Sequence, residues 1–477
     1  MKKCFTIILI ALAGTGFAQE QGKVWTLKEC VDYAVANSLD VKRSVYSRET
    51  GEINAFQSKM QLLPTINGNA SYGYNWGRNI DPTTNAFIEQ RITSANMNVS
   101  GSLLLWNGFR QFYATRQNQT EFNALSEDLI KAKNDVILNV INLYMTVIFN
   151  KELLGNAQSQ LSSTQQQLDR TRKLADAGSV PRGNVLNLDA QNATNELNLI
   201  QRENALNLSL LQLKQALQLP ASTEMDVEVP TMDVQRDLVI DQSADEIFSA
   251  AVTLMPEIKA AQLRKRSAEY SLRSARGSYY PRLSMNASIG SVYSDARLEF
   301  VPNGQVDVVP SQIGYVQGTN SPVFRDVATP QGSLQEVSFK RQYNDNLGRS
   351  LGFSLNVPIF NGYATRSNVR RSVIAREQTH INAIQLENTL RQSVETAVND
   401  AVAAHRTFLS AERQVSARDE AFRMTKQRFD AGAANFVEYQ VAENDLFQAK
   451  SDLLRAKYDL LFRRKLLDFY QGKPILD

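Results

Sequence analysis

The chain is poor in the residues that carry out chemistry. Its 477 residues include 2 His and 2 Cys, and Cys4 falls in a segment that reads as a removable leader. A His/Cys metal site and a disulfide framework are thereby excluded within one chain. Most pairings of a nucleophile with His go with them, unless His380 or His405 takes part. There is no glycine-rich phosphate loop, and no pair of carboxylates that helix periodicity does not already place on a helix face. Neither catalytic residues nor a cofactor nor a metal is expected, so the chain is not read as an enzyme. Charge is nearly balanced, with 52 Lys and Arg against 49 Asp and Glu, which argues against a nucleic-acid binder. Long apolar runs are missing too. The best, 136–149, has 14 residues and contains Asn139 and Asn142, whereas a membrane-spanning helix needs ~20.

Helix breakers are absent where it matters. Residues 363–431 contain no Gly and no Pro, and 109–177 contain only Gly155. Both stretches read as single very long helices. Sixty-nine residues at ~1.5 Å each span roughly 100 Å, more than a compact domain is wide.

The first residues are an address. Lys2 and Lys3 precede the apolar stretch Phe5 to Leu12, and Gly16-Phe17-Ala18 offers small residues where a signal peptidase reads. Residues 1–18 are expected to be removed on export. No Cys follows the apolar run directly, Cys4 coming too early and Cys30 too late, so no lipid anchor is expected.

The remainder is one unit written twice. Leu63-Pro64-Thr65-Ile66-Asn67-Gly68-Asn69-Ala70-Ser71 returns as Tyr280-Pro281-Arg282-Leu283-Ser284-Met285-Asn286-Ala287-Ser288, 217 positions later. Trp106-Asn107-Gly108 returns as Phe360-Asn361-Gly362, and Asp176-Ala177-Gly178 as Asp430-Ala431-Gly432, both 254 positions later. The second copy therefore holds 37 extra residues between Pro281 and Phe360. Offsets held over more than a hundred residues mean duplication. The two repeats are 19–243 and 244–477. Each predicts a helix (27–60 and 244–279, the second disturbed at Pro256), two strands, a very long helix (109–177 and 363–431) and a further helix (184–219 and 438–470). Leucines at heptad spacing, as at Leu446, Leu453, Leu460 and Leu467, point to coiled-coil packing of antiparallel helices.

The strands are predicted at 66–76, 95–105, 283–293 and 351–359. Ile66, Gly68, Ala70, Tyr72, Tyr74 and Trp76 alternate with Asn67, Asn69, Ser71, Gly73 and Asn75. Leu351, Phe353, Leu355, Val357 and Ile359 alternate with Gly352, Ser354, Asn356 and Pro358. A period of two with an apolar face and an uncharged Asn/Ser/Gly face, about ten residues long, suits tilted membrane strands around a wet lumen. Four strands cannot close a barrel, for which about eight is the practical minimum, and an open edge in lipid leaves backbone groups unpaired. Several copies must then contribute: a dimer supplies eight strands and a trimer twelve. The loops between the strands, 77–94 and 294–348, have 18 and 55 residues; the longer shows no clear period, and long loops face outward from such barrels. A polar connector, 220–243, joins the repeats.

The duplicated proline-then-strand element, the Trp106-Asn107-Gly108 and Phe360-Asn361-Gly362 entries into the long helices, and the Ala-Gly tips at Gly178 and Gly432, in order and in duplicate, resemble the TolC family of outer-membrane efflux proteins over essentially the whole mature chain. The resemblance implies a mainly α fold with a small β part: a long antiparallel α-helical coiled-coil barrel in the periplasm plus a transmembrane β-barrel, four strands per chain and twelve in a homotrimer. It implies an exit duct in the outer-membrane lipids, with a periplasmic adaptor protein docking at the tips around Gly178 and Gly432 and an inner-membrane transporter supplying the energy for efflux or type I secretion. It places the gate at Glu438 and Val441, matched in the first copy by Asn184 and Asn187. The family often has two acids there and a basic residue nearby; here Val441 stands for the second acid and Ala434 for the base. Glu438 also has a purely local reading, as an acid favouring a helix N-terminus. A passive porin without pump partners is the alternative function, and the long helices speak against it.

Overall fold

The computed structural model describes residues 23–81, 84–89, 91–229 and 243–473. The leader 1–18, most of the connector 220–243 and Pro474 lie outside the described residues. In chain order the elements are β1 (Lys23–Trp25), α1 (Leu27–Asn37), α2 (Leu39–Met60), β2 (Thr65–Asn75), β3 (Asn79–Ile80), β4 (Phe87–Ile88), β5 (Ile92–Trp106), α3 (Arg110–Asp176), α4 (Arg182–Ala216), β6 (Met225–Val227), α5 (Ala244–Leu254), α6 (Pro256–Arg276), β7 (Arg282–Ser294), β8 (Leu298–Tyr315), β9 (Pro322–Glu336), α7 (Phe339–Asp345), β10 (Gly348–Asn356), α8 (Ala364–Asp430) and α9 (Phe436–Tyr470). The chain divides into two compact units, one of residues 1–52, 120–266 and 377–477 and the other of 53–119 and 267–376.

The first unit is helical, and its core repeats itself as the sequence does. Cys30, Val31 and Ala34 of α1, at helical spacing, pack with Val140, Ile141, Tyr144, Val147 and Ile148 of α3 and Leu213 of α4. Ile247, Phe248 and Ala251 of α5 pack with Val394 of α8 and Leu467 of α9 in a second cluster. Those residues stand 217 or 254 positions after Cys30, Val31, Ala34, Val140 and Leu213. Each fully buried aliphatic side chain contributes about 1.5–3 kcal/mol, so the two clusters hold equivalent joints of the two repeats. The apolar stretch of α3 is long enough by composition to cross a membrane, but its large residues are this core. Tyr144 donates its hydroxyl to the carbonyls of Trp25 (3.1 Å) and Glu228 (2.8 Å), tying the small parallel β1–β6 pair to the helix.

The helix expected over 27–60 is two helices. Ser38 breaks it with ψ 131°, and Val41 N–H turns to the Ser38 hydroxyl (3.5 Å). The equivalent break precedes Pro256, at Met255 with ψ 126°. Proline makes that second break legible; serine made the first one silent. Both α1 and α5 start in capping boxes, Thr26 with Glu29 and Ser243 with Glu246.

The second unit carries a four-stranded antiparallel sheet in the order β10-β7-β5-β2. The two hairpins share one register: Ile66 pairs with Gly101 as Leu283 pairs with Leu355, and Asn67 with Ser100 as Ser284 with Ser354. The pairing therefore carries each face across the sheet. Leu103, Met285 and Phe353 lie in one row, while Asn67, Ser100, Ser288 and Ser350 lie in a row on the other face. Ser288 and Ser350 hydroxyls meet at 2.7 Å. β2 and β10 are exposed along their length, and each has one edge that pairs with no strand among the described residues.

Two expectations are corrected here. The strand expected at 351–359 runs instead over Gly348–Asn356; Pro358 has no N–H for a ladder, and Val357 and Ile359 fall outside the strand. The stretch 294–348 is not an irregular loop. β8 and β9 form a long two-stranded ribbon, followed by α7. Pro302, Pro310, Pro322 and Pro330, which made the stretch look irregular, are tolerated because a two-stranded ribbon consists only of edge strands. Its base is fixed by the fully buried Gln342 of α7, which accepts from Ser294 N–H (3.0 Å) and donates to the carbonyls of Ser294 (2.8 Å) and Val337 (2.9 Å).

The continuous rows predict a sided response to charge. Phe353→Arg should cost ~2–4 kcal/mol as a mid-membrane lipid-facing substitution and abolish assembly. Ser354→Arg, one residue on and on the polar face, should assemble. Heat-resistant oligomer on gels reads the outcome; equal tolerance of both would show that the facing is wrong.

Candidate functional site: the helical tips

The two helix hairpins of the first unit end in matching turns. Gly178 follows α3 with φ 72° and Gly432 follows α8 with φ 73°. Ser179 N–H bonds back to Leu174 C=O and Ala433 N–H to Arg428 C=O, each at 2.8 Å, which is the Schellman closure of a helix. A methyl group at either glycine would meet nothing within 4 Å. Glycine is therefore required by the left-handed backbone, not by crowding.

The turns launch α4 and α9 differently. Pro181 starts α4 without a side-chain cap. Asn435 caps α9, accepting from Glu438 N–H (2.8 Å) and donating to Glu438 Oε1 (3.0 Å). Both α4 and α9 begin two residues before the expected 184 and 438, so Glu438 is the third residue of its helix. Its carboxylate also lies 3.5 Å from Arg428, which donates to Ala433 C=O (3.2 Å). Ala434 leaves the position of the family's basic residue empty of charge, and the cation beside Glu438 is Arg428 of the preceding helix. Glu438 thus serves its local helix start, and its side chain remains 45% exposed. Val437 and Val441 are 60% and 54% exposed, apolar residues one turn apart beside it.

Asn184 and Asn187 lie in α4, on the first hairpin. With Gly432, Arg170, Asp430 and Phe436 they line a cleft of about 430 Å³ between the hairpins. Asn435 and Val437, which flank the start of α9 beside Glu438, line it as well, while Glu438 and Val441 themselves do not. Arg170 and Asp430 pair across the cleft at 2.8 Å. Behind it the tips are held by Leu168, Leu188, Phe436 and Tyr439, with Phe422 and Phe429 against them; the Phe429 and Tyr439 rings lie 4.9 Å apart.

Sequence reasoning missed Glu443, which is 5% exposed. Ser163 donates to it at 2.5 Å and Tyr439 Oη at 3.4 Å. Burial pushes its carboxyl above the ordinary range, opposed by those two hydrogen bonds and by the charge of Lys426. A signal existed: Tyr439, Glu443 and Leu446 share the buried stripe of α9, and a carboxylate on such a stripe is anomalous. More polar links lie nearby, Asn195 to Thr164 within the first hairpin (2.8 Å) and Gln160 to Asn444 between the hairpins (3.0 Å). Among the described residues no group of His, Cys, Asp or Glu is placed to hold a metal ion.

The whole arrangement has known counterparts. The family model described as outer membrane efflux protein matches residues 31–218 and 248–472, once per repeat. The outer membrane efflux protein BepC of Brucella suis is 20% identical over 93% of this chain and 85% of its own. The proteases secretion protein PrtF of Dickeya chrysanthemi is 19% identical, over 94% and 87%. Among solved structures, CusC superposes with a TM-score of 0.74 at 15% identity, covering 96% of each chain. VceC of Vibrio cholerae gives 0.71 at 14%, covering 94% of this chain and 96% of that one.

Glu443 generates a pH prediction. Its folded form holds a proton more tightly than the unfolded chain, so the tip bundle is stabilised below the ordinary carboxylate range. That stability is lost as pH rises through the raised value. Glu443→Gln should remove this slope and raise the unfolding temperature at neutral pH relative to the parent. A variant that melts lower at neutral pH with the slope intact would contradict the assignment.

Proposed function

The chain belongs to the outer membrane efflux protein family, and we propose that it works as the exit duct of a tripartite efflux or type I secretion system. Three copies form a twelve-stranded barrel, wide enough to leave a passage where eight strands would fill their own interior. The observation that carries this is the sheet of the second unit, with its two free edges and its separate apolar and uncharged polar faces running across all four strands. Lipid covers the one face and water fills the other. The duct is passive: substrates arrive from an inner-membrane transporter through a periplasmic adaptor.

The tips are the end that opens and the surface on which the adaptor docks. Gly178 and Gly432 set the shape of the two turns, and Glu438, Val441, Asn184 and Asn187 are the gate residues. Three copies of Glu438 brought together around an axis favour cations over anions, as acidic rings do in channels. Their repulsion is partly offset within each copy by Arg428. A porin without pump partners is disfavoured because 67-residue helices such as α3 and α8 have no use in it.

Replacing Glu438 by Gln keeps the shape and removes the charge. In planar bilayers the cation preference should fall and block by multivalent cations should weaken, while export in cells with the partners present continues. Selectivity and block identical to the parent would leave Glu438 as a helix-start residue alone.

A further inference from the structure

Below the strands of the second unit, the charge is one-sided. Segments 53–62, 107–119, 267–282 and 357–376 contain ten Lys and Arg and a single acid, Glu269. In the first unit arginines find carboxylates: Arg170 with Asp430 (2.8 Å), Arg418 with Asp445 (2.7 Å) and Arg463 with Asp400 (2.7 Å). Arg110, Arg273, Arg276, Arg366, Arg370 and Arg371 make no ion pair among the described residues.

Two of these six stand where a helix disfavours them: Arg110 opens α3 and Arg366 is the third residue of α8, with Arg370 and Arg371 one turn further on. Neither helix has an acid in its first turn. The positive end of the helix dipole opposes cations in that turn, so an anion brought there from outside the chain is favoured.

Arg273 and Arg276 line a cleft at the end of the sheet. The β5–β7 register shifts between Leu104 and Trp106, and the shift pairs Trp106 with Leu283. Leu283 belongs to the apolar face with Met285. The bulge therefore brings Trp106 onto that face at the end where the strands meet the helices. Its ring packs on Phe109 at 4.6 Å. Trp106, Phe109, Tyr113 and Tyr280 with Arg273 and Arg276 line a cleft of about 320 Å³. Gly108 and Gly277 make it possible: a Cβ on Gly108 would lie 2.6 Å from the Gly277 carbonyl oxygen. The Arg273 guanidinium lies 5.8 Å from the Tyr113 ring centre and 6.0 Å from that of Tyr270, which orients its fork.

We propose that this cationic collar, through the Arg273–Arg276 cleft, binds the phosphate headgroups of anionic phospholipids in the periplasmic leaflet. The inference rests on the outer-membrane reading. A guanidinium fork matches a phosphodiester in two-point fashion. The aromatic walls suit the glycerol and upper acyl region, as at other membrane interfaces.

The test reconstitutes the mature protein in nanodiscs of mixed phosphatidylglycerol and phosphatidylcholine, extracts it gently, and weighs the retained lipid by mass spectrometry. Wild type should retain phosphatidylglycerol above its bulk ratio, by roughly fivefold per cation engaged. Arg273→Gln/Arg276→Gln should return to the bulk ratio, and the paired-arginine control Arg418→Gln should not. Excess inorganic phosphate should leave the retention in place; displacement by phosphate alone would reduce the site to a simple anion site and overturn the lipid assignment. An assembled channel without enrichment, or enrichment unchanged in the double variant, overturns the collar while leaving the duct standing. A protein that stays monomeric and outside bilayers overturns both.

Discussion

Everything in this chain follows from the backbone hydrogen bonds along the free edges of β2 and β10. In hydrocarbon an unpaired N–H or C=O costs several kcal/mol, and each edge presents a row of them. The sheet within one copy is correctly paired, correctly faced and unfinished. Only another β2 can complete a β10, so membrane insertion and association between copies are the same event. The polar rows of Asn, Ser and Gly have the same logic: they are neutral, small and useless to a soluble core, but they suit the wall of a water-filled passage.

The duplication tells how the unfinished edges are completed. Within one copy the second strand of the first repeat, β5, pairs with the first strand of the second repeat, β7. The same relation applied between copies would join β10 to the neighbour's β2. Since both hairpins share one register, the in-chain pairs translate directly. Ser100 with Ser288 becomes Ser354 with Ser71, and Asn98 with Gly290 becomes Gly352 with Gly73. Polar residues meet polar residues in that register, and Phe353 meets Tyr72, so both faces continue around the ring. The helical clusters repeat in the same way, Val140 and Leu213 in one and Val394 and Leu467 in the other.

Much of this was legible in the sequence because it is periodic. Breaker-free stretches gave α3 and α8 within a residue at either end, and alternation gave the four strands, since apolar and polar faces leave a mark at every second position. What escaped has no period. Ser38 breaks a helix by turning its own hydroxyl to Val41, a local choice that serine makes only in context. The β8–β9 ribbon hid behind four prolines that exclude a central strand but not an edge. Arg428 reaches Glu438 only because the turn at Gly432 folds α9 back beside α8, and Glu443 is buried by Ser163 of another helix. Such pairings belong to the tertiary structure, and a single sequence does not record them. The tip glycines are legible from their backbone role alone, since both adopt positive φ.

The most direct measurement of this account is a disulfide across the inferred seam. Cys30, the cysteine of the described chain, is buried, so Ser71→Cys/Ser354→Cys introduces the reactive pair. Oxidised in membranes, the double variant should run on denaturing, non-reducing gels as a covalent trimer, with each single variant remaining monomeric. A disulfide closing within one copy, or no cross-link in a channel that still assembles, would contradict the seam and with it the twelve-stranded barrel.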